Sequence, residues 1–218
     1  SAIVSSGGTA SGTILSSGGT ATVSSGGLLR DAVISTGTSN TVSSGGIASV
    51  TIVSSGGTQR VSAGGVAIGT ILRAGGAQTI TSGTVSGTTV SSGGIENVSL
   101  GGLSSNTTVL SGGNQVVRFG TTISTIMSGG TQGVSAGMAS ATTVSSGGFQ
   151  RVLSGASAVS TTISSGGQES VAAGGSAAIT TCASGGIEIV QSGGVVSGDI
   201  LLSGGVLSVA GGSAGAIT

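Results

Sequence analysis

The sequence predicts an all-β chain, a right-handed parallel β-helix (a solenoid) of about eleven 19-residue rungs that spans residues 1–218 as one unit. Three observations carry this reading. One frame, clearest in Thr51–Gly69 as TIVSSGGTQRVSAGGVAIG, begins again at residues 13, 32, 51, 70, 88, 107, 125, 142, 161, 180 and 199. Two positions of that frame are filled by apolar side chains or cysteine in every rung. Gly-Gly pairs recur twice per period, which disfavours a helix by about 1 kcal/mol per glycine relative to alanine and instead marks corners.

Taken in order, residues 1–12 hold a half-repeat, and the rungs from Thr13 to Gly69 are regular apart from Gly37-Thr38 in place of one Gly-Gly. The middle rungs drift, with Gly83-Thr84 and Gly120-Thr121 as further exceptions, and Thr125–Ala141 is the shortest. From Thr142 the 19-residue period returns. The third position holds Leu15, Ile34, Val53, Leu72, Val90, Val109, Met127, Val144, Ile163, Cys182 and Leu201, and the eleventh holds valine or isoleucine from Val23 to Val209. Most are β-branched, as strands prefer, and both columns are expected to be buried in every rung. A rung of this length at ~3.3 Å per residue has a perimeter of roughly 60 Å, enough for a closed coil with three short faces. Stacked at ~4.8 Å, such coils form a rod roughly 50 Å long. The expected hand is right, as for parallel β crossovers generally. Glycine suits the corners because it reaches positive φ freely and because a Cβ would obstruct neighbouring coils.

Composition narrows the function. The 47 glycines and absent prolines would suit a flexible linker, but Val, Ile and Leu hold a fixed register that linkers lack. Net charge is zero, lysine and histidine are absent, and nothing marks a nucleic-acid partner or an anionic membrane surface. No metal-ligand set or cofactor motif is present, so none is expected. Cys182 falls on the apolar third column with no histidine to activate it, and reads as a small core residue. Both ends enter mid-repeat, and the chain is expected to be a fragment of a longer array.

Three polar columns accompany the apolar ones. The ninth position reads Ala21, Asn40, Gln59, Gln78, Glu96, Gln115, Gln132, Gln150, Glu169, Glu188 and Leu207, and its polar run is expected to form an amide ladder or a solvated edge. Glu169 and Glu188 could suggest paired catalytic carboxylates, yet no further acid or base accompanies them. The second position, from Ile14 to Ile200, mixes isoleucine, valine and threonine and should point outward, without the sustained Thr-x-Thr pairs of an ice-binding face. Serine crowds the positions before the glycines, as in Ser54-Ser55, where it can serve both as a turn residue and as an accessible hydroxyl. Strand alternation turns positions four and twelve outward if three and eleven point in. This selects Ser16, Ser35, Ser54, Ser91, Ser145 and Ser164 on one edge, and Ser24, Ser43, Ser62, Ser99 and Ser135 on the other. Hydroxyls one residue later begin the turn, where backbone hydrogen bonding is expected to occupy them. A one-residue shift would instead present Ser17, Ser55, Ser92, Ser146 and Ser165.

The pattern TxVSSGGxQxVSxGGxAxxT, repeated along essentially the whole chain, resembles the passenger regions of AIDA/TibA-type self-associating autotransporter adhesins of Gram-negative bacteria. The resemblance implies a secreted β-helical passenger, displayed at the cell surface and attached in the full protein to an outer-membrane β-barrel. It implies adhesion to host cells, autoaggregation with identical passengers and biofilm formation. It also implies O-heptosylation of serine by a bacterial heptosyltransferase, with the two serine edges above as candidate acceptors. Arg73-Ala74, Arg118-Phe119 and Ala172-Ala173 replace serine pairs, and those corners should carry no sugar. The competing readings are a fragment of a β-helical polysaccharide-degrading enzyme and an inert structural stalk. The former would need clustered acids and bases that this chain lacks.

Overall fold

The computed structural model describes all residues from Ser1 to Thr218 and contains strands and turns without a helix. Each complete rung adds one short strand to each of three parallel sheets, which hold 12, 12 and 11 strands. In the rung that begins at Thr51 these are Ile52–Val53, Thr58–Val61 and Val66–Ile68. We call the sheet that contains Thr58–Val61 the first sheet. Pairing follows the frame: Val53 lies between Ile34 and Leu72, and Val61 between Val42 and Ile80. The shortest rung keeps the register too, with Met127 opposite Val144 and Gln132 opposite Gln150. Its missing residues are therefore taken from corners, where no ladder is interrupted.

Burial explains why the two apolar columns persist. From Val23 to Val190 the eleventh position is fully buried, as is the third from Ile34 to Ile163. The expectation of burial in every rung needs one correction. Leu201 and Val209, in the last rung described, are 40% and 44% exposed. Cys182, between Ile163 and Leu201, is buried as expected. The second position faces outward, exposed at Ile14, Ile126, Thr162 and Ile200 and half-buried at the other rungs.

A third inward column comes from the remaining sheet and is mostly small: Ala48, Ala67, Ala139, Ala158 and Ala177 are all buried. Its small side chains leave room for the long ones of the ninth position, which share the interior. Where a polar residue stands there, it bonds them directly, as Ser104 does Glu96 and Thr122 does Gln132.

Candidate functional site

The serine corners are tight turns. In Ser54–Gly57 the Gly57 amide donates to the Ser54 carbonyl at 2.9 Å. Both central residues have positive φ, 47° at Ser55 and 82° at Gly56, the signature of a type I′ turn. The two glycines do different work. Gly56 supplies the left-handed backbone, whereas a Cβ on Gly57 would lie 2.6 Å from the Ile34 carbonyl oxygen of the rung below. One glycine makes the turn and the other admits the neighbouring coil.

Stacking also settles where the turn's backbone donors go. The Ser55 amide donates to the Ala74 carbonyl at 2.8 Å and the Gly56 amide to the Gly75 carbonyl at 2.7 Å, both in the next rung. The same pattern recurs from Ser25 to Ser44 and from Ser146 to Ser165. The serine hydroxyl is not needed to satisfy the turn.

This reverses the expected allocation of hydroxyls. Positions four and twelve lie at strand ends and are only half-buried: Ser24, Ser35, Ser43, Ser54, Ser62, Ser91, Ser99, Ser135, Ser145 and Ser164 share this state, while Ser16 in the first full rung is exposed. Three of them donate to a carbonyl of the preceding rung, Ser35 to Leu15, Ser99 to Ile80 and Ser145 to Met127, at 3.2 to 3.3 Å. The next residues, Ser17, Ser55, Ser92, Ser146 and Ser165, are exposed, and their hydroxyls make no bond within the protein. The same holds for Ser25 and Ser44 on the other edge. Ser82, also at a turn position, keeps the expected bond and donates to the Leu100 carbonyl at 2.7 Å, but at the Ser-Ser corners the expectation fails because it treats each turn in isolation.

The ninth-position column is a ladder, and its solvated alternative is corrected: Asn40, Gln59, Gln78, Glu96, Gln115, Gln132, Gln150, Glu169 and Glu188 are all buried. Each amide donates down the stack, Gln59 to Asn40 at 3.2 Å, Gln78 to Gln59 at 2.7 Å and Gln150 to Gln132 at 2.7 Å. Facing it runs a second buried column, unnoticed in the sequence, of first-position threonines. Thr70 donates to Gln59 at 3.0 Å, Thr88 to Gln78 at 3.2 Å and Thr107 to Glu96 at 3.3 Å. The signal was available, since position nine has the same parity as the inward position eleven.

Acids interrupt the ladder near its end. Glu169 accepts from Thr161 and Thr180, while its neighbour Gln150 turns its amide down the stack to Gln132; Glu188 leaves Oε1 without a partner, as Asp199 leaves Oδ2. Burial pushes Glu169 up to about 7 against the two threonine bonds. Burial, then the charges of Glu169 and Asp199, push Glu188 up to about 8. Burial likewise raises Glu96, and with the neighbouring carboxyls it drives the Cys182 thiol to about 12. These carboxyls are sealed inside the rod, where no saccharide reaches them, so they cannot serve as a hydrolytic pair.

A sealed polar interior, a regular exterior and repeated free hydroxyls at the corners define a structural stalk. The model of the family described as "Adhesin of bacterial autotransporter system, probable stalk" matches residues 41–94 and 126–186, more than half of the chain. The chain belongs to this family of bacterial autotransporter adhesin stalks. It is also similar to a crystal structure of a fragment of TibA hyper-glycosylated by TibC, at 39% identity and a TM-score of 0.82 over 97% of this chain and 86% of that one. Comparison with curated proteins gives no match.

Proposed function

We propose that the chain is the surface-displayed, secreted stalk of an autotransporter adhesin and an acceptor for serine O-heptosylation by a dedicated heptosyltransferase. In the full protein it is anchored through an outer-membrane barrel. It carries adhesion to host cells, and it drives autoaggregation and biofilm formation by side-to-side contact between identical rods. Many weak contacts along a rod multiply through avidity, so deleting rungs should weaken aggregation steeply while the remainder stays folded.

The observation that carries the acceptor role is the row of exposed, unbonded hydroxyls on Ser17, Ser55, Ser92, Ser146 and Ser165. Likeness to a glycosylated TibA fragment supports it. Two registers compete at the Ser-Ser corners. The set Ser16, Ser24, Ser35, Ser43, Ser54, Ser62, Ser91, Ser99, Ser135, Ser145 and Ser164 is the first, and Ser17, Ser55, Ser92, Ser146 and Ser165, with Ser25 and Ser44 on the other edge, are the second. Greater exposure and freedom from backbone bonds favour the second register. Substituents on one column would sit about 4.8 Å apart, so crowding leaves some rungs bare. Co-expression with a heptosyltransferase, intact mass measurement and site mapping by electron-transfer fragmentation test this. Sugar confined to the first register would reverse the choice of register, and an unmodified chain would end the acceptor reading.

A further inference from the structure

The outward face of the first sheet carries a notch at the shortest rung. Three adjacent strands, Asn114–Arg118, Thr131–Ser135 and Phe149–Val152, lie side by side there. Strand alternation sends every second side chain outward, and the middle outward position of the middle strand is Gly133. Gly133 sits opposite Val116 on one side and Arg151 on the other. Side chains therefore ring a centre that has none, enclosing about 420 Å³.

Gly133 differs from the corner glycines. It lies within a strand, its φ is not positive, and a Cβ built on it would meet nothing within 4 Å. Neither turn geometry nor close backbone approach requires glycine at this position. What the glycine does is leave space.

The ring has a specific chemistry. Arg118 and Arg151 stand on either side of the middle strand, opposite Ser135 and Gly133, roughly 12 Å apart on the diagonal. Phe149, half-buried, presents its ring beside Arg151 on the same strand. Thr131 donates to Asn114 Oδ1 at 3.2 Å, which leaves the Asn114 amide nitrogen as a free donor, and the Ser135 hydroxyl completes the rim. A second hollow of about 300 Å³, lined by Thr79, Asn97 and Ser99, adjoins beyond Val116 and Arg118. Together they form a shallow groove that runs along the rod for roughly 20 Å at the usual strand spacing.

Charge placement favours an anion. Four of the five acidic residues, Glu96, Glu169, Glu188 and Asp199, are buried inside the rod, while all five arginines are exposed. Only Asp31 contributes a carboxylate to the exterior. The balanced formal charge conceals a cationic surface, and the notch gathers two of its five cations.

We propose that this notch binds an acidic sugar residue of an extracellular glycan. Guanidinium groups take a carboxylate or sulfate in paired hydrogen bonds. The Phe149 ring covers the apolar C–H face of a pyranose, and Asn114 and Ser135 meet its hydroxyls. The volume lies within the range of small-ligand sites. The groove lets the glycan continue along the rod axis. A nucleic acid fits less well, since one aromatic ring and scattered arginines provide neither a stacking platform nor a dense phosphate track.

The proposal gives the adhesin reading a ligand class, and it is tested on the purified, unglycosylated chain so that its outcome does not depend on cell aggregation or on heptosylation. Titration calorimetry with a sulfated heparin tetrasaccharide, a tetragalacturonate, neutral maltotetraose and a short single-stranded DNA provides the arms. Binding of one acidic tetrasaccharide over the other identifies sulfate or carboxylate as the recognised group. Gly133→Val fills the notch with a residue suited to a strand, and Arg151→Gln removes one cation. Each should weaken binding by about tenfold or more, while Arg30→Gln, exposed on a different sheet, stays within about twofold. Circular dichroism verifies that Gly133→Val melts no lower than the parent. Absence of binding to both acidic tetrasaccharides, equal binding of maltotetraose or DNA, or unchanged affinity in Gly133→Val would overturn the proposal.

Discussion

The Gln78 side-chain amide donates to Gln59 Oε1 at 2.7 Å, and Thr70 donates to that same oxygen at 3.0 Å from across the interior. One glutamine thus ties its own rung to the next and one wall of the coil to another. A buried amide with every partner supplied adds directional specificity that an apolar core lacks. Gln78→Ala should lower stability by about 1–3 kcal/mol, since it removes a bond, opens space and leaves Thr88 without its acceptor. Chemical denaturation measures this, and an unchanged midpoint would show the ladder to be energetically idle.

The apolar columns make a harsher demand. Val53→Asp or Val144→Asp places an unpaired charge in a fully buried stack and should cost several kcal/mol, on the order of 3 or more. The same change at Ile68, 47% exposed on the outer face, should cost less than about 1 kcal/mol. Comparable losses at Val53 and Ile68 would contradict the division into inward and outward columns.

Acidification should stabilise the C-terminal third. Glu169 and Glu188 bind their protons more tightly folded, with values of about 7 and about 8 against an ordinary 4.5. Burial is the leading cause for both. The unfolded chain therefore binds fewer of these protons between the ordinary and the raised values, and stability falls with rising pH across that interval. Their contribution is complete below about pH 4.5 and is lost as pH climbs through 7 to 8. Thermal melts should shift downward from pH 5 to pH 8.5, and Glu169→Gln with Glu188→Gln should flatten the profile. A profile that rises over the same range would refute the assignment.

Glycine substitutions should sort by position. Gly57→Ala drives a Cβ against the Ile34 carbonyl and Gly56→Ala forces φ +82 on an L-residue, so both should destabilise by about 1 kcal/mol or more. Gly133→Ala meets no atom and should be neutral or stabilising. Equal effects at Gly57 and Gly133, read by denaturant midpoint, would deny that the second corner glycine is there for the stack.

Cys182 should resist thiol reagents in the native rod. It is buried and its thiol is pushed to about 12, so little thiolate forms at neutral pH. Rapid labelling without denaturant would count against its place in the core.

The period, the two apolar columns and the reason for paired glycines were all legible from spacing. What the sequence hid was contextual. Gln59 and Glu169 look like surface residues by chemistry, and only their shared parity with Val61 and Val171 places them inside. Thr51 and Thr70 begin a rung and pass for turn-edge residues, although their column is buried. The choice between Ser54 and Ser55 depends on carbonyls of the next rung, which a single repeat does not contain. The Gly133 notch was missed because one more glycine in a chain of 47 carries no signal until its neighbours are placed.

In-register stacking means that each strand pairs with partners one period away along the chain, as Val53 does with Ile34 and Leu72. Loop closure therefore costs the same for the hundredth rung as for the second. A chain emerging end-first can crystallise onto its own tip, each new coil templated by exposed carbonyls and amides of the last, with no distant segment to wait for. Lengthening such a rod changes its reach without making any partner in it more remote along the sequence.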